Sequence, residues 1–453
     1  MTPEDAERIH EASLGLLADP GVRIEHDRVY ERLLKAGAKP GADAHVVRFP
    51  RDLVMECVGR APAEVHFADR RSQGYTIGGQ NTTRVWSVPG MNILRHGEHR
   101  PFTSTDMADV ARLLDRLENV DAVFGLSLDD VPPRARDVVG LRVIAQNTTK
   151  HVRVLCFTPE GADALCEMKR VADGAWFSVG FTAHGPLRWT NLALEIFART
   201  AGHGIPATVN GEPTAGASGP VTLAGSAAVG NAEILAGIVV NQILEPGRPC
   251  IYNLGLAHFL DMKTAIAVTG APENHLLAQI SAVMGRFYDL PSCSWVSTES
   301  MCVDAQAAME KTFGFQAQMS AGVSLIWGVG QLESELTFSP AQAVIDNEIV
   351  SYCRRYDRGV ETSDETLALD VVREVGIGGS FLEAEHTLEH FREELWEPTI
   401  LFRNRREKWD GQPLDAAAEG RADELIAAPR KPCLTGDQEK VLLDIERRFM
   451  TRL

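Results

Sequence analysis

Acidic and amide side chains that could bind or react stand just after short apolar runs of the chain. Asn210 ends IPATVN and Glu212 follows it, Glu299 follows SCSWVST, and Glu333 follows VSLIWGV. Two carboxylates at one site could perform general acid–base hydrolysis. Each of these acids could equally be ion-paired or solvated, and spacing alone does not pair them. A hydrolase or lyase using Glu212 and Glu299 is therefore one hypothesis.

A glycine-rich stretch, GEPTAGASGPVTLAGS at residues 211–226, follows the first of these runs. Glycine permits tight turns and close approach of another molecule, so the stretch predicts either a strand-to-helix turn or the wall of a site. Gly211, Gly216 and Gly219 are the candidates for ligand approach. GASGP departs from a nucleophile elbow at Pro220, which favours a structural use of Ser218.

Aromatic and histidine side chains offer two further kinds of site. Phe157 and Trp327 lie on or beside apolar runs, where a ring is either core or the wall of a cage for a methylated ammonium. His386 and His390 share a helix face, but no third ligand is evident, and the sequence contains neither HExxH nor CxxC. We therefore predict no bound metal.

The elements that would position these residues repeat as a short apolar run, a loop and a helix-length segment. Eight such strand candidates suit a closed parallel barrel, and the chain lacks the GxGxxG fingerprint of a doubly wound sheet. The predicted strands are DAVFGLSL, HVRVLCF, WFSVGF, IPATVN, RPCIYNLG, SCSWVST, VSLIWGV and SFLEAE. The sequence thus predicts a TIM-like (β/α)8 barrel, whose site lies at the carboxyl ends of the strands.

Residues 1–119 mix helical spacing with short alternating runs and predict an N-terminal α+β cap, and residues 120–453 would hold the barrel and C-terminal helices. The formal charge of −17 over 453 residues disfavours nucleic acid or an anionic membrane as partner. Polar residues interrupt AAVGNAEILAGIVVNQIL, which predicts a buried helix and no membrane span. An acidic N-terminus and eight scattered cysteines favour the cytoplasm.

Three blocks of the chain resemble one known family. They are IHEASLGLLADPGVRIEHDRVYERLLKAGA, then PTAGASGPVTLAGSAAVGNAEILAGIVVNQILEPGRPCIY, and later the segments VDAQAAMEKT, AQAVIDNEI and HTLEHFREELWEP. Over nearly its whole length the chain is similar to the trimethylamine and glycine betaine corrinoid methyltransferases. The resemblance implies a TIM-like barrel that moves a methyl group from a methylated amine to the cobalt(I) of a separate corrinoid protein.

The resemblance narrows the expected substrate. Trimethylamine members from archaea carry pyrrolysine, whereas this chain has only standard residues and looks like the branch that includes glycine betaine methyltransferases. A quaternary ammonium already has a neutral amine as leaving group, so no acid, base or metal on this chain is obligatory. Positioning and exclusion of water would then provide the catalysis.

Site roles and partners follow as expectations. Substrate binding is predicted for six side chains, of which two would be cage walls: His184, Asn210, Glu212 and Glu299, with Phe157 and Trp327 as the walls. No DxHxxG cobalamin box is present, because DAHVVR at residues 43–48 lacks the glycine, so the corrinoid would arrive on its partner protein. A homo-oligomer is expected, and a non-catalytic betaine-binding protein remains an alternative.

Overall fold

The computed structural model describes residues 1–70 and 74–453 and contains a closed barrel of eight parallel strands. The strands follow chain order around the barrel, and β8 pairs with β1 to close it. They are β1 Arg84–Ser87, β2 Ala122–Phe124, β3 His151–Arg153, β4 Phe177–Thr182, β5 Ala207–Asn210, β6 Cys250–Gly255, β7 Ser292–Trp295 and β8 Leu325–Val329. The predicted TIM-like barrel is confirmed.

A helix follows each strand and packs outside the barrel. The helices are Ser104–Arg116, Arg136–Asn147, Pro159–Met168, Asn191–Thr200, Leu223–Leu244, Pro272–Phe287, Ala305–Ser320 and Pro340–Asp357. Local sequence explains their starts: the Thr103 hydroxyl accepts from the Asp106 amide, and the Asp106 carboxylate accepts from the Thr103 amide, which caps the first helix. Proline is the first residue of three of these helices, where its missing amide proton costs nothing.

The predicted strand list contains one error. SFLEAE is not a strand: residues 380–384 are turn and irregular backbone, with exposed side chains, and Glu385 begins a helix. The eighth barrel strand is instead β1, from TRVWSV at residues 83–88, which lies within the segment predicted to form the cap. The division at residue 119 stays a prediction, and β1 lies before it.

Helix Leu223–Leu244 is apolar on all sides because it is covered on all sides. It packs against helices Pro3–Ala18 and Arg51–Arg60 and against the barrel. Asn231, one of its polar interruptions, donates to Ser13 Oγ and accepts from the Tyr252 hydroxyl, both at 2.9 Å. Although the helix is long and apolar enough to cross a membrane, 83% of its most apolar window is buried in the protein. The predicted buried helix is confirmed.

The N-terminal residues form helices and small sheets around the barrel. Helices Pro3–Ala18, Asp27–Lys35 and Arg51–Arg60 accompany a sheet of Val22–Ile24, Lys39–Pro40, Val46–Arg48 and Arg188–Trp189. The hairpin Glu64–Ala68 and Gly74–Gly78 closes the amino end of the barrel, where Phe67 packs on Trp86 and His151 with ring centroids 5.1 and 4.4 Å apart. The barrel interior is therefore sealed at this end.

Additional strands cover the opposite end. One sheet joins Thr214–Ala215, His258–Asp261 and Ile266–Val268, and another joins Asn92–Arg95, Glu98–Pro101, Gln331–Leu332 and Thr337–Phe338. Beyond the barrel lie helices Asp364–Leu367, Leu369–Val375, Glu385–Glu394, Leu414–Ala427 and Gly436–Met450, with single 3-10 turns at Pro133–Ala135, Lys169–Val171 and Arg406–Lys408. The last two helices pack back onto barrel helices.

Candidate active site

The inward faces of the strands become more accessible toward their carboxyl ends. On β4, Ser178 is fully buried, whereas Gly180 and Thr182 further along the same face are only partly buried. Leu155, which follows Arg153 on the inward face of β3, is also partly buried. In the described residues the barrel interior thus becomes accessible toward the carboxyl ends of the strands, where parallel barrels hold their sites.

Two carboxylates with no protein partner lie at this mouth. Glu212 follows β5 and Glu335 follows β8, both are partly exposed, and no donor in the described residues reaches either side chain. Desolvation by the surrounding protein, together with the charge of the neighbouring Glu233, raises the pKa of Glu212 to about 7. Desolvation and the neighbouring Glu212 raise the pKa of Glu335 to about 8. A cation binding between them would remove this electrostatic cost.

Glu299 has a different environment. Its carboxylate accepts from the Thr269 amide and hydroxyl, from the Gly270 amide at 3.0 Å and from the Ser334 hydroxyl at 3.2 Å. These bonds fasten the segment after Ile266–Val268 to the segment that carries Glu335. Glu299 is thus occupied in holding the two segments together, and the structure does not pair it with Glu212 as a hydrolase would require.

Asn210 belongs to a chain of side-chain hydrogen bonds across three strands. Its amide donates to Thr182 Oγ1 at 3.0 Å and accepts from Asn253 Nδ2 at 2.9 Å. The Asn253 oxygen in turn accepts from the Gly255 amide. Asn210 is therefore held in a fixed orientation at the end of β5, two residues before Glu212.

Trp327 faces the barrel interior from β8. Its ring lies 5.2 Å from the Phe124 ring, and the Arg153 guanidinium lies 5.7 Å from its centroid. Trp327 is only 3% exposed, and its Nε1 is buried without a hydrogen-bond partner in the described residues. The Arg153 guanidinium thus lies close to this ring, and binding of a methylated ammonium by Trp327 stays a prediction.

Phe157 and His184 lie at the rim, apart from the two carboxylates. Phe157 is 39% exposed, and its amide donates to Asp137 Oδ2 at 3.2 Å. His184 is exposed, and its Nδ1 donates a hydrogen bond to the Thr182 carbonyl oxygen at 3.2 Å. Substrate binding by these residues stays a prediction.

The glycines at 211–219 serve packing within the chain. A Cβ at Gly211 would stand 2.5 Å from the Gly230 carbonyl oxygen, and one at Gly219 would stand 2.7 Å from Ser226 Oγ. Gly216 has φ of +93°, where only glycine is unstrained. The loop therefore folds tightly onto helix Leu223–Leu244, and of these three glycines Gly216 alone is classed as exposed. Ligand approach to these three glycines stays a prediction.

Sequence reasoning missed two residues, Arg153 and Glu335. Arg153 is visible in HVRVLCF, but the inward face of that strand could not be identified from its sequence. Glu335 lies in an irregular hairpin where three successive non-glycine residues, Glu333 to Glu335, have positive φ. Glu333, the predicted strand-end acid, instead pairs with His99 Nε2 at 3.3 Å. No local pattern distinguishes the two acids.

Metal ligation finds no support in the part of the chain that is described. It holds no group of three or more His, Cys, Asp or Glu side chains arranged to bind an ion. His386 and His390 lie on helix Glu385–Glu394, with ring centroids 4.3 Å apart and ring planes tilted by 42°.

Comparison with known proteins gives one consistent relationship. A family model of trimethylamine methyltransferases (MTTB) matches residues 1–451. The trimethylamine methyltransferase MttB of Desulfitobacterium hafniense (strain DSM 10664 / DCB-2) is 31% identical over 425 residues, which cover 90% of this chain and 85% of the relative. MttB of Methanosarcina barkeri is 30% identical over 412 residues, covering 85% and 82%. The glycine betaine methyltransferase of D. hafniense (strain Y51) is 27% identical over 451 residues, covering 96% and 93%.

A solved structure agrees on the fold. The monomethylamine methyltransferase MtmB of M. barkeri superposes with a TM-score of 0.54 at 12% identity, covering 98% of this chain and 86% of that chain. At this identity the similarity concerns the architecture alone.

Proposed function

Because the chain belongs to the trimethylamine methyltransferase (MTTB) family, we propose that it transfers a methyl group from a quaternary amine, glycine betaine or a related betaine, to the cobalt(I) of a corrinoid on a separate protein. The observation that carries the substrate class is the pair of partnerless carboxylates, Glu212 and Glu335, at the barrel mouth. A methylated ammonium would supply the positive counter-charge that the described residues do not provide to these carboxylates.

The reaction needs little covalent chemistry from the protein. The N–CH3 bond breaks heterolytically, the methyl group bonds to cobalt, and the electron pair stays on nitrogen as the neutral tertiary amine leaves, so no proton moves. The corrinoid of the partner protein supplies the nucleophile. Glu212 and Glu335 would hold the ammonium. The amino end of the barrel, where Phe67 packs on Trp86 and His151, would exclude water.

Docking of the corrinoid protein at the mouth is supported by apolar residues on the rim. Six connections that follow barrel strands each expose at least one large apolar side chain, and these include Met91, Phe157, Val221, Met262, Met301 and Leu336, which are between 39% and 74% exposed. Apolar residues exposed around one opening are typical of a protein-binding surface, and methionine adapts readily to a partner. A cytoplasmic location and a homo-oligomer belong to the same proposal.

An anaerobic assay tests this function. The protein is mixed with free cobalt(I) cobalamin, or with a corrinoid protein purified from the cells that produce it. Glycine betaine, other betaines or trimethylamine are then added. We expect the visible spectrum of methyl-cobalt(III) to form with a betaine and not with trimethylamine. Transfer from trimethylamine with all betaines inert would contradict the substrate class. Binding of a betaine without transfer would favour the non-catalytic alternative.

A further inference from the structure

Arg153 is a buried cation without a counter-charge. Its side chain extends from β3 into the barrel, the residue is 4% exposed, and no carboxylate in the described residues lies within ion-pair distance. Nη1 donates to the Val154 carbonyl oxygen at 2.7 Å, and Nε is buried without a partner. The buried Lys311, by contrast, contacts Asp346 at 2.6 Å. Since buried charges are almost always paired, Arg153 lacks an anion.

Two aromatic rings hold the guanidinium in place. Its central carbon lies 5.2 Å from the Phe124 centroid and 5.7 Å from the Trp327 centroid. Cation–π attraction to both rings stabilises the charge without neutralising it. Burial lowers the pKa of Arg153 to about 10, so the group is still a cation at neutral pH.

Partly exposed residues lead from the barrel mouth toward this cation. A Cβ at Gly180 would stand 1.7 Å from Arg153 Nη2, so the missing side chain of Gly180 is what makes room for the guanidinium. Gly180 is itself partly exposed, as is Thr182 one step nearer the mouth on the same face. Glu212 and Glu335 lie beyond, at the ends of β5 and β8. A path lined by partly exposed residues therefore joins the deep cation to the two outer acids.

We infer that Arg153 binds the carboxylate of a zwitterionic substrate whose ammonium lies between Glu212 and Glu335. The inference rests on the proposed function and defines the substrate class as a quaternary amine that carries a carboxylate. A cation deep in the barrel and acids at the mouth fix the orientation of such a molecule, with its carboxylate inward and its N-methyl groups outward. Arginine suits this role because its planar fork can bind both carboxylate oxygens.

Calorimetric titration with glycine betaine and with tetramethylammonium, which lacks a carboxylate, tests the inference without requiring turnover. We expect the wild-type protein to bind glycine betaine at least about 10-fold more tightly than tetramethylammonium. Arg153→Met should weaken glycine betaine binding about 10- to 100-fold, as for loss of a charged hydrogen-bonded pair. The affinity for tetramethylammonium should change by less than about 3-fold in Arg153→Met. If methyl transfer occurs, the loss should appear in KM for glycine betaine.

Two further variants keep the outcome interpretable. Gly180→Ala retains the arginine but places a methyl group where Nη2 lies. It should therefore weaken the binding of glycine betaine and not that of tetramethylammonium, and it serves as the test if Arg153→Met does not fold. Arg248→Met is the matched control: Arg248 is 1% exposed, stacks on Phe181 and Phe197, and should affect stability without changing the preference between the two ligands. Equal weakening of both ligands by Arg153→Met and Gly180→Ala, or no weakening, would overturn the inference. Selective betaine binding without any methyl transfer would instead overturn only the proposed function.

Discussion

Replacing Glu335 by glutamine should stabilise the protein at alkaline pH while weakening its affinity for a quaternary amine. The side chain sits beside Glu212 with no donor from the described residues, and its pKa rises from 4.5 to about 8. That rise alone corresponds to at most about 5 kcal/mol against the charged form. Partial exposure to solvent screens the charge, so we expect a gain of about 1–3 kcal/mol for Glu335→Gln.

The pH dependence of this gain has a defined sign. Below about pH 4.5 the carboxyl is protonated in both the folded and the unfolded chain, and glutamine gives no advantage. Between about pH 4.5 and 8 the unfolded chain releases its proton first, so the wild-type free energy of unfolding falls relative to that of the variant. Above about pH 8 the difference is constant.

Urea unfolding at pH 5, 7 and 9 measures the effect, with titration of glycine betaine as the companion assay. Glu333→Gln is the control, because Glu333 accepts from Thr337 and contacts His99, so its neutralisation should not stabilise. In a Glu212→Gln background the gain should shrink, since Glu212 contributes to the raised pKa. A Glu335→Gln protein no more stable than wild type at pH 9 would refute the assignment of a desolvated, partnerless acid.

Two further variants test the support of the site and its outer surface. Lys311→Met should lower the free energy of unfolding by about 3–5 kcal/mol, because it leaves Asp346 charged and fully buried. Adding Asp346→Leu should recover most of the loss in the same urea assay. Destabilisation that the double variant does not relieve would contradict this explanation. Met262→Glu, at a rim position 74% exposed, should raise KM for the corrinoid protein several-fold and leave free cobalamin unaffected in steady-state methyl transfer, whereas an unchanged KM would remove Met262 from the docking surface.

Much of the barrel was predictable because strands and helices alternate with regular lengths. The error at SFLEAE has a physical origin: a short run of apolar residues scores as a strand whether it is buried or, as with Phe381 and Leu382, exposed. TRVWSV reads equally well as a strand of the cap or of the barrel, because only its pairing with Leu325–Val329 and Ala122–Phe124 decides. Long-range pairing has no local signature.

The site was less predictable than the fold. Glu212 was predicted because it lies two residues after a strand, but its lack of partners among the described residues depends on segments distant in sequence. Barrel strands are buried on both faces, so alternation does not reveal that Arg153 points inward while Val154 points outward. The glycines at 211 and 219 read as ligand approach, yet their nearest neighbours are Gly230 and Ser226 of the following helix.

The most direct test of the central claim is a single-turnover experiment with glycine betaine labelled in its N-methyl groups. The protein, a cobalt(I) corrinoid protein and the labelled betaine are mixed anaerobically, and the corrinoid and amine products are analysed by mass spectrometry. Methyl transfer predicts one labelled methyl group on the corrinoid for each dimethylglycine formed. Dimethylglycine without labelled corrinoid, or unchanged betaine in the presence of the active corrinoid protein, would contradict the account.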